Sequence, residues 1–130
     1  MKQVSPFLML LFLVTSFTYS QTFKIDSANF DELIAQVYGE RAQDLIYKDS
    51  KVLETYKSIL NRLEIIKSSE EVKGDYQFLS TVPSYKPLNQ VFSPKNFNPY
   101  NYKMDFFRKD ETVYYVVDNT EYVILIKPLK

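Results

Sequence analysis

The chain contains no cysteine and no histidine, and only two glycines. Each absence removes a class of chemistry. Without cysteine there is no disulfide, no thiol nucleophile and no thiolate zinc site, and lipid attachment through an N-terminal cysteine is excluded. Without histidine the usual general base near neutral pH is missing. Gly39 and Gly74 stand far apart, so no glycine-rich, phosphate-cradling loop can be written. No cofactor, no metal site and no catalytic residue is therefore assigned. From Gln21 onward there is also no N-x-S/T acceptor sequence.

What is present begins with an export pattern. Lys2 precedes an unbroken apolar run, Phe7 to Val14, followed by small polar residues, with Thr18 and Ser20 suited to a cleavage site before Gln21. Val14 with Ser16 is a second option. A membrane anchor needs about 20 apolar residues, and this run gives way at Thr15, Ser16 and Thr18, so no stable anchor is expected after cleavage. Residues 1–20 are thus set apart as a signal peptide and residues 21–130 form one domain, long enough to bury a core. The expected location is periplasmic or secreted, and the missing cysteines and sequons suit a bacterial exported protein.

Removing Lys2 leaves 15 basic and 16 acidic residues, a net charge of −1. A near-neutral chain lacks the field that draws proteins onto nucleic acid or anionic membrane. Residues 95–109 do interleave Lys95, Lys103, Arg108 and Lys109 with five aromatics. Basic residues at strand edges and hairpin tips, which block aggregation, explain these better than nucleic-acid binding.

The periodicity predicts two helices, over residues 29–48 and 50–68. Asn29 and Glu32 make a capping-box pattern, and Phe30, Leu33, Ile34, Val37, Tyr38, Ala42, Leu45 and Ile46 form an apolar stripe that runs through Gly39. Asp49 or Ser50 caps the second helix, whose stripe is Val52, Leu53, Tyr56, Ile59, Leu60, Leu63 and Ile66. Asp44 with Lys48 and Glu64 with Lys67 are spaced as helical ion pairs, and Gly74 marks the stop. The short connection implies an antiparallel hairpin.

Pro83, Pro87, Pro94 and Pro99 make residues 75–99 an extended arm, with room for a short strand near Tyr76 to Val82. Residues 100–127 read as a three-stranded antiparallel meander of "YKMDFF", "VYYVV" and "YVILI". The fold class is α+β, the helical hairpin packed on the meander with the arm between them.

Pairing Asp118 with Glu121, and Phe107 with Thr112, places Tyr102, Met104, Phe106, Val113, Tyr115, Val117, Tyr122, Ile124 and Ile126 on one side of this meander. That side is the expected core. The reverse carries Lys103, Asp105, Thr112 and Glu121, but also Phe107, Tyr114, Val116, Val123 and Leu125. Burying those five apolar side chains is worth about 1.5–3 kcal/mol each, so a cover is expected. It is either the arm, with Phe92 and Phe97 as plugs, or another molecule.

Two binding surfaces follow. A protein partner, or a second copy, would use the reverse side with the adjoining arm: Phe97, Tyr100, Phe107, Tyr114, Val116, Val123 and Leu125. The alternative is a glycan or cell-wall module in the 96–102 stretch, where Asn96, Asn98 and Asn101 set amides beside Phe97 and Tyr100. That mixture suits a sugar ring. A hydrolase built on two carboxylates remains a third reading. Its candidates, Asp31, Glu32, Glu70, Glu71, Asp110, Glu111, Asp118 and Glu121, have duller roles at a helix start, in linkers and beside turns. Asp105 is the least explained, in a strand beside aromatics with Lys103 on the same side.

Overall fold

A computed structural model describes residues 21–129. The expected signal peptide, residues 1–20, and Lys130 lie outside the described residues. The chain is α+β. In order, the elements are β1 (Gln21–Phe23), α1 (Phe30–Tyr38), α2 (Ser50–Arg62), β2 (Leu63–Lys67), β3 (Gln77–Phe78), β4 (Val113–Val116) and β5 (Tyr122–Ile126). They form one five-stranded sheet in the order β1-β2-β5-β4-β3, antiparallel except for the β3–β4 pair.

The helical half is shorter than the apolar stripes predict. The first stripe is one face of three pieces, not one helix. α1 ends at Gly39, which sits at φ +56°, ψ −131°, a conformation that glycine reaches without the Cβ penalty. A 3-10 turn (Gly39–Arg41) and a π-helical turn (Gln43–Tyr47) then keep the phase, so Phe30, Ile34, Ala42 and Ile46 all reach the core. Asn29 does not cap α1 with its side chain. It closes a 3-10 turn (Ser27–Asn29) whose cap is Asp26, through Ala28 N at 2.9 Å. Asp49 does cap α2, accepting from Lys51 N at 2.9 Å. The Asp44–Lys48 ion pair does not form among the described residues.

The largest departure is at Leu63. The expected helix to residue 68 stops at Arg62, and the chain passes straight into β2. Leu63 adopts φ −101°, ψ 133°. From there burial alternates, with Leu63 and Ile65 fully enclosed and Glu64 and Ile66 on the other face. β-branched Ile65 and Ile66 favour this pleated surface over a helix. β2 pairs with both β1 and β5, at the heart of the sheet. Glu64 consequently meets Lys127 across the strands at 2.8 Å, and the expected Glu64–Lys67 pair is absent.

The terminal hairpin has the expected register. Val113 faces Ile126, Tyr115 faces Ile124 and Val116 faces Val123. Asn119 takes φ +62° in the turn, the left-handed conformation asparagine tolerates. The third strand of the meander does not form. Residues 103–107 are irregular, and Tyr102 makes a single bridge with Ser84. The vacant neighbour position beside β4 is taken by β3 instead. Side chains satisfy the displaced backbone: Tyr115 Oη accepts from Asp105 N at 2.7 Å, and Arg62 Nη1 donates to Phe106 O at 2.8 Å. Burial still alternates there, Tyr102, Met104 and Phe106 inward, Lys103, Asp105 and Phe107 outward.

Helices and arm cover the same inner face of the sheet. Leu79, Val82 and Phe97 from the arm, with Tyr100 and Tyr102 just beyond it, join Ile34, Ile59, Leu60, Ile65 and Ile124 in one core. This reverses the expectation that Phe92 and Phe97 plug the outer face. Phe97 packs on Tyr102, with ring centres 5.4 Å apart, and Phe92 on inward-facing Tyr122 at 5.3 Å.

Arg62 sits at the helix-to-strand passage. Its Nη1 also donates to Lys127 O at 3.0 Å, while Lys127 N donates to Arg62 O at 2.8 Å. Burial disfavours its charge and lowers its pKa, and its Nε and Nη2 are enclosed without a partner. Arg62→Ala strips donors from two carbonyls and should destabilise the fold by about 1.5–3 kcal/mol. Arg62→Met, which keeps the packed stem and removes the unpartnered donors, should cost less. Urea unfolding of both variants measures the difference, and equal losses would mean that the stem contributes nothing.

Candidate functional site

Three concave surfaces lie on the described residues, and the residues singled out from sequence are divided among them. The first is a groove of about 320 Å³ between the arm and α1, lined in part by Gln36, Lys86, Asn89, Gln90, Asn96 and Asn98. Here the 96–102 stretch acts mainly as structure. Phe97 is 6% exposed and Tyr100 2% exposed. Asn98 caps the 3-10 turn Pro99–Asn101 by accepting from Tyr100 N at 3.0 Å, and its amide donates to Leu33 O and Gln36 Oε1, both at 2.9 Å. Asn101 pairs its amide with the backbone of Lys86, Oδ1 accepting at 2.9 Å and Nδ2 donating at 3.2 Å. Tyr100 Oη donates to Tyr56 O at 2.6 Å. Of the three asparagines, only Asn96 presents its side chain to the groove without an internal hydrogen bond.

The second surface is the outer face of the sheet. Register aligns one row across all five strands: Thr22, Ile66, Val123, Val116 and Phe78. Tyr114 and Leu125 share a neighbouring row with Glu64. Ile66, Tyr114, Val116 and Val123 are half-buried, Leu125 is 9% exposed, and Phe78 at the edge is 45% exposed, its ring edge-on to exposed Tyr76 at 5.5 Å. Residues 68–72 and Tyr76 rim a groove of about 340 Å³ whose apolar floor is Val116 and Val123. Its charged lining is wholly acidic: Glu70, Glu71 and Glu121. Phe107, expected on this face, is elsewhere, because its segment is not a strand.

Phe107 lines the third surface, a pocket of about 230 Å³ with Tyr38, Tyr56, Tyr85, Tyr100, Tyr102, Lys103, Met104 and Phe106. The Tyr38 ring meets Tyr56 at 6.5 Å and Tyr85 at 6.3 Å, and Tyr56 stacks on Tyr100 at 6.1 Å. Lys103 Nζ lies 5.2 Å from the centre of the Tyr85 ring, within reach of a cation–π contact. Nothing in the sequence announces this pocket. Its tyrosines come from α1, α2 and the arm, and no short motif links them.

The carboxylates are mostly engaged one at a time. Asp31 accepts from Tyr47 Oη at 2.5 Å. Arg108 pairs with Asp105 at 2.8 Å and with Glu111 at 3.3 Å, so Asp105 belongs to a surface ion pair. Asp118 accepts from Ser80 N at 3.1 Å and Ser80 Oγ at 2.8 Å, bonds that hold its pKa below the usual carboxylate value. Among the described residues no cluster of three or more acids could hold a metal ion. Compared with known proteins, the chain matches no family model, and no curated protein or solved structure is significantly similar to it.

Burial raises the phenol pKa of Tyr38, Tyr100, Tyr102 and Tyr115, and burial together with the Asp31 carboxylate lifts Tyr47 from 10.0 to about 12. A folded-state pKa above the unfolded one stabilises the protein below pH 10 and loses that contribution as pH climbs through the raised value. Alkaline titration followed by phenolate absorbance should therefore leave these five groups protonated past pH 10 while the chain stays folded. Stability should fall from there upward. Titration of every tyrosine with a midpoint near pH 10 and native circular dichroism would contradict the burial assigned to them.

Proposed function

We propose that this chain is a small exported, non-enzymatic interaction domain that takes a protein partner on its outer sheet face. The observation behind it is the row Ile66, Val123, Val116 and Phe78, apolar across four neighbouring strands, half-buried at the first three and exposed at Phe78, and outside the core that α1, α2 and the arm build on the inner face. A solvated sheet face ordinarily alternates to polar residues, and a contiguous apolar patch rimmed by charge is the composition of a partner site. The acidic rim of Glu70, Glu71 and Glu121 favours an apolar segment flanked by lysine or arginine.

The glycan reading of the 96–102 stretch has weaker support. Its two rings are buried and two of its three amides are committed to internal hydrogen bonds. The hydrolase reading would need two carboxylates converging in one cleft. Glu70, Glu71 and Glu121 share a groove, but its floor is apolar.

Tagged protein of residues 21–130 should capture a partner from its native host in a salt-sensitive manner. Val123→Lys, which sets a cation among the apolar row, should abolish capture while circular dichroism stays native. A concentration-independent monomer that binds no hydrophobic dye, or undiminished capture by Val123→Lys, would remove the outer face from consideration.

A further inference from the structure

The tyrosine pocket does not depend on the outer face, and its lining is unlike either of the other two surfaces. Three rings, Tyr38, Tyr56 and Tyr85, wall it, with Met104, Phe106 and Phe107 completing the apolar lining. Tyr85 is 54% exposed and Tyr38 and Tyr56 are half-buried, the Tyr38 phenol being partly desolvated and paired with that of Tyr56, so the Tyr85 ring is the part of the wall most open to a solute. A phenol donates and accepts. The only charged residue in the lining is Lys103, and Arg41 acts on the Tyr38 phenol from outside it. No carboxylate lines the pocket.

Each class of small ligand can be set against this lining. A quaternary or methylated ammonium would find aromatic faces but no counter-charge, and Lys103 already lies over the Tyr85 ring. A wholly apolar group over Tyr85 would cover its phenol and the Lys103 ammonium without giving either a partner, an arrangement with a desolvation cost. A pyranose ring fits both requirements, since its C–H face stacks on an aromatic ring and its hydroxyls exchange hydrogen bonds with phenols. The size of the pocket, about 230 Å³, is below the usual range for drug-sized ligands and suits one ring, not a chain of them. The two nearby cations add a preference for negative charge.

We propose that Tyr38, Tyr56, Tyr85 and Lys103 form a subsite for one acidic sugar residue of the uronate type, stacked on the Tyr85 ring with its carboxylate directed to Lys103. Lys103 is exposed and free to swing from its place over the ring to meet a carboxylate. The site is one of recognition: no bond is made or broken there.

The chain has no tryptophan, so its intrinsic fluorescence comes from tyrosine, and five of the ten tyrosines in residues 21–130 line the pocket. The test is titration of residues 21–130 with an oligogalacturonide, a neutral cello-oligosaccharide and tetramethylammonium. The oligogalacturonide should quench the fluorescence saturably, and the neutral oligosaccharide should bind about tenfold more weakly, the loss of one charge-assisted hydrogen bond. Tyr85→Ala, at an exposed position, should abolish binding with an unchanged melting temperature. Lys103→Gln should bring the acidic and neutral ligands to equal affinity. The proposal is overturned if neither oligosaccharide binds, if Tyr85→Ala binds as the parent does, or if tetramethylammonium is the ligand that saturates the pocket.

Discussion

Everything in this fold is arranged around the junction at Arg62 and Leu63, where a helix becomes a strand with no intervening loop. The junction fixes three things at once. It ends α2 after Ile59 and Leu60 have reached the core, and it drops Leu63 and Ile65 onto the inner face of the sheet. It also sets β2 between β1 and β5. Arg62 binds the passage to the irregular segment at Phe106 and to the chain leaving β5 at Lys127. Enclosing its Nε and Nη2 without partners is costly, and the bonds from Nη1 to Phe106 O and Lys127 O act against that cost.

From that junction follows the asymmetry of the sheet. α1, α2 and the arm all contribute to the core on the Leu63 and Ile65 side, and the arm is pinned there by the amides of Asn98 and Asn101 and the phenol of Tyr100. Ile66, one residue further on, necessarily faces the other way and lines up with Val123, Val116 and Phe78. One alternation of a strand thus builds both the interior and the half-buried outer apolar row. The tyrosine pocket is a by-product of the same arrangement, formed where arm and helices meet.

How much of this was legible in the sequence depended on whether one periodicity or two fitted the residues. The β4–β5 register was readable because charged Asp118 and Glu121 flank an asparagine suited to positive φ, and a slip of one residue would have reversed every side chain. The inward and outward alternation of residues 102–107 was readable for the same reason, although its strand is missing. The passage at Leu63 was not. Leu63 and Ile66 continue the helical spacing from Ile59 and Leu60, while Leu63 and Ile65 equally satisfy a strand, and only the pairing partners on β1 and β5 decide between them. The arm offered rings in need of burial without indicating which face of the sheet would receive them. Nor could spacing reveal that tyrosines at 38, 56 and 85 converge.

Cross-strand nuclear Overhauser contacts in the folded 21–130 protein address the junction most directly. Expected are contacts from Ile65 to Ile124 and from Ile66 to Val123, with helical contacts ending at Arg62. Unbroken helical contacts from Ile59 through Ile66 would contradict it, since Ile66 would then leave the outer row and the sheet would lose the strand that joins β1 to β5.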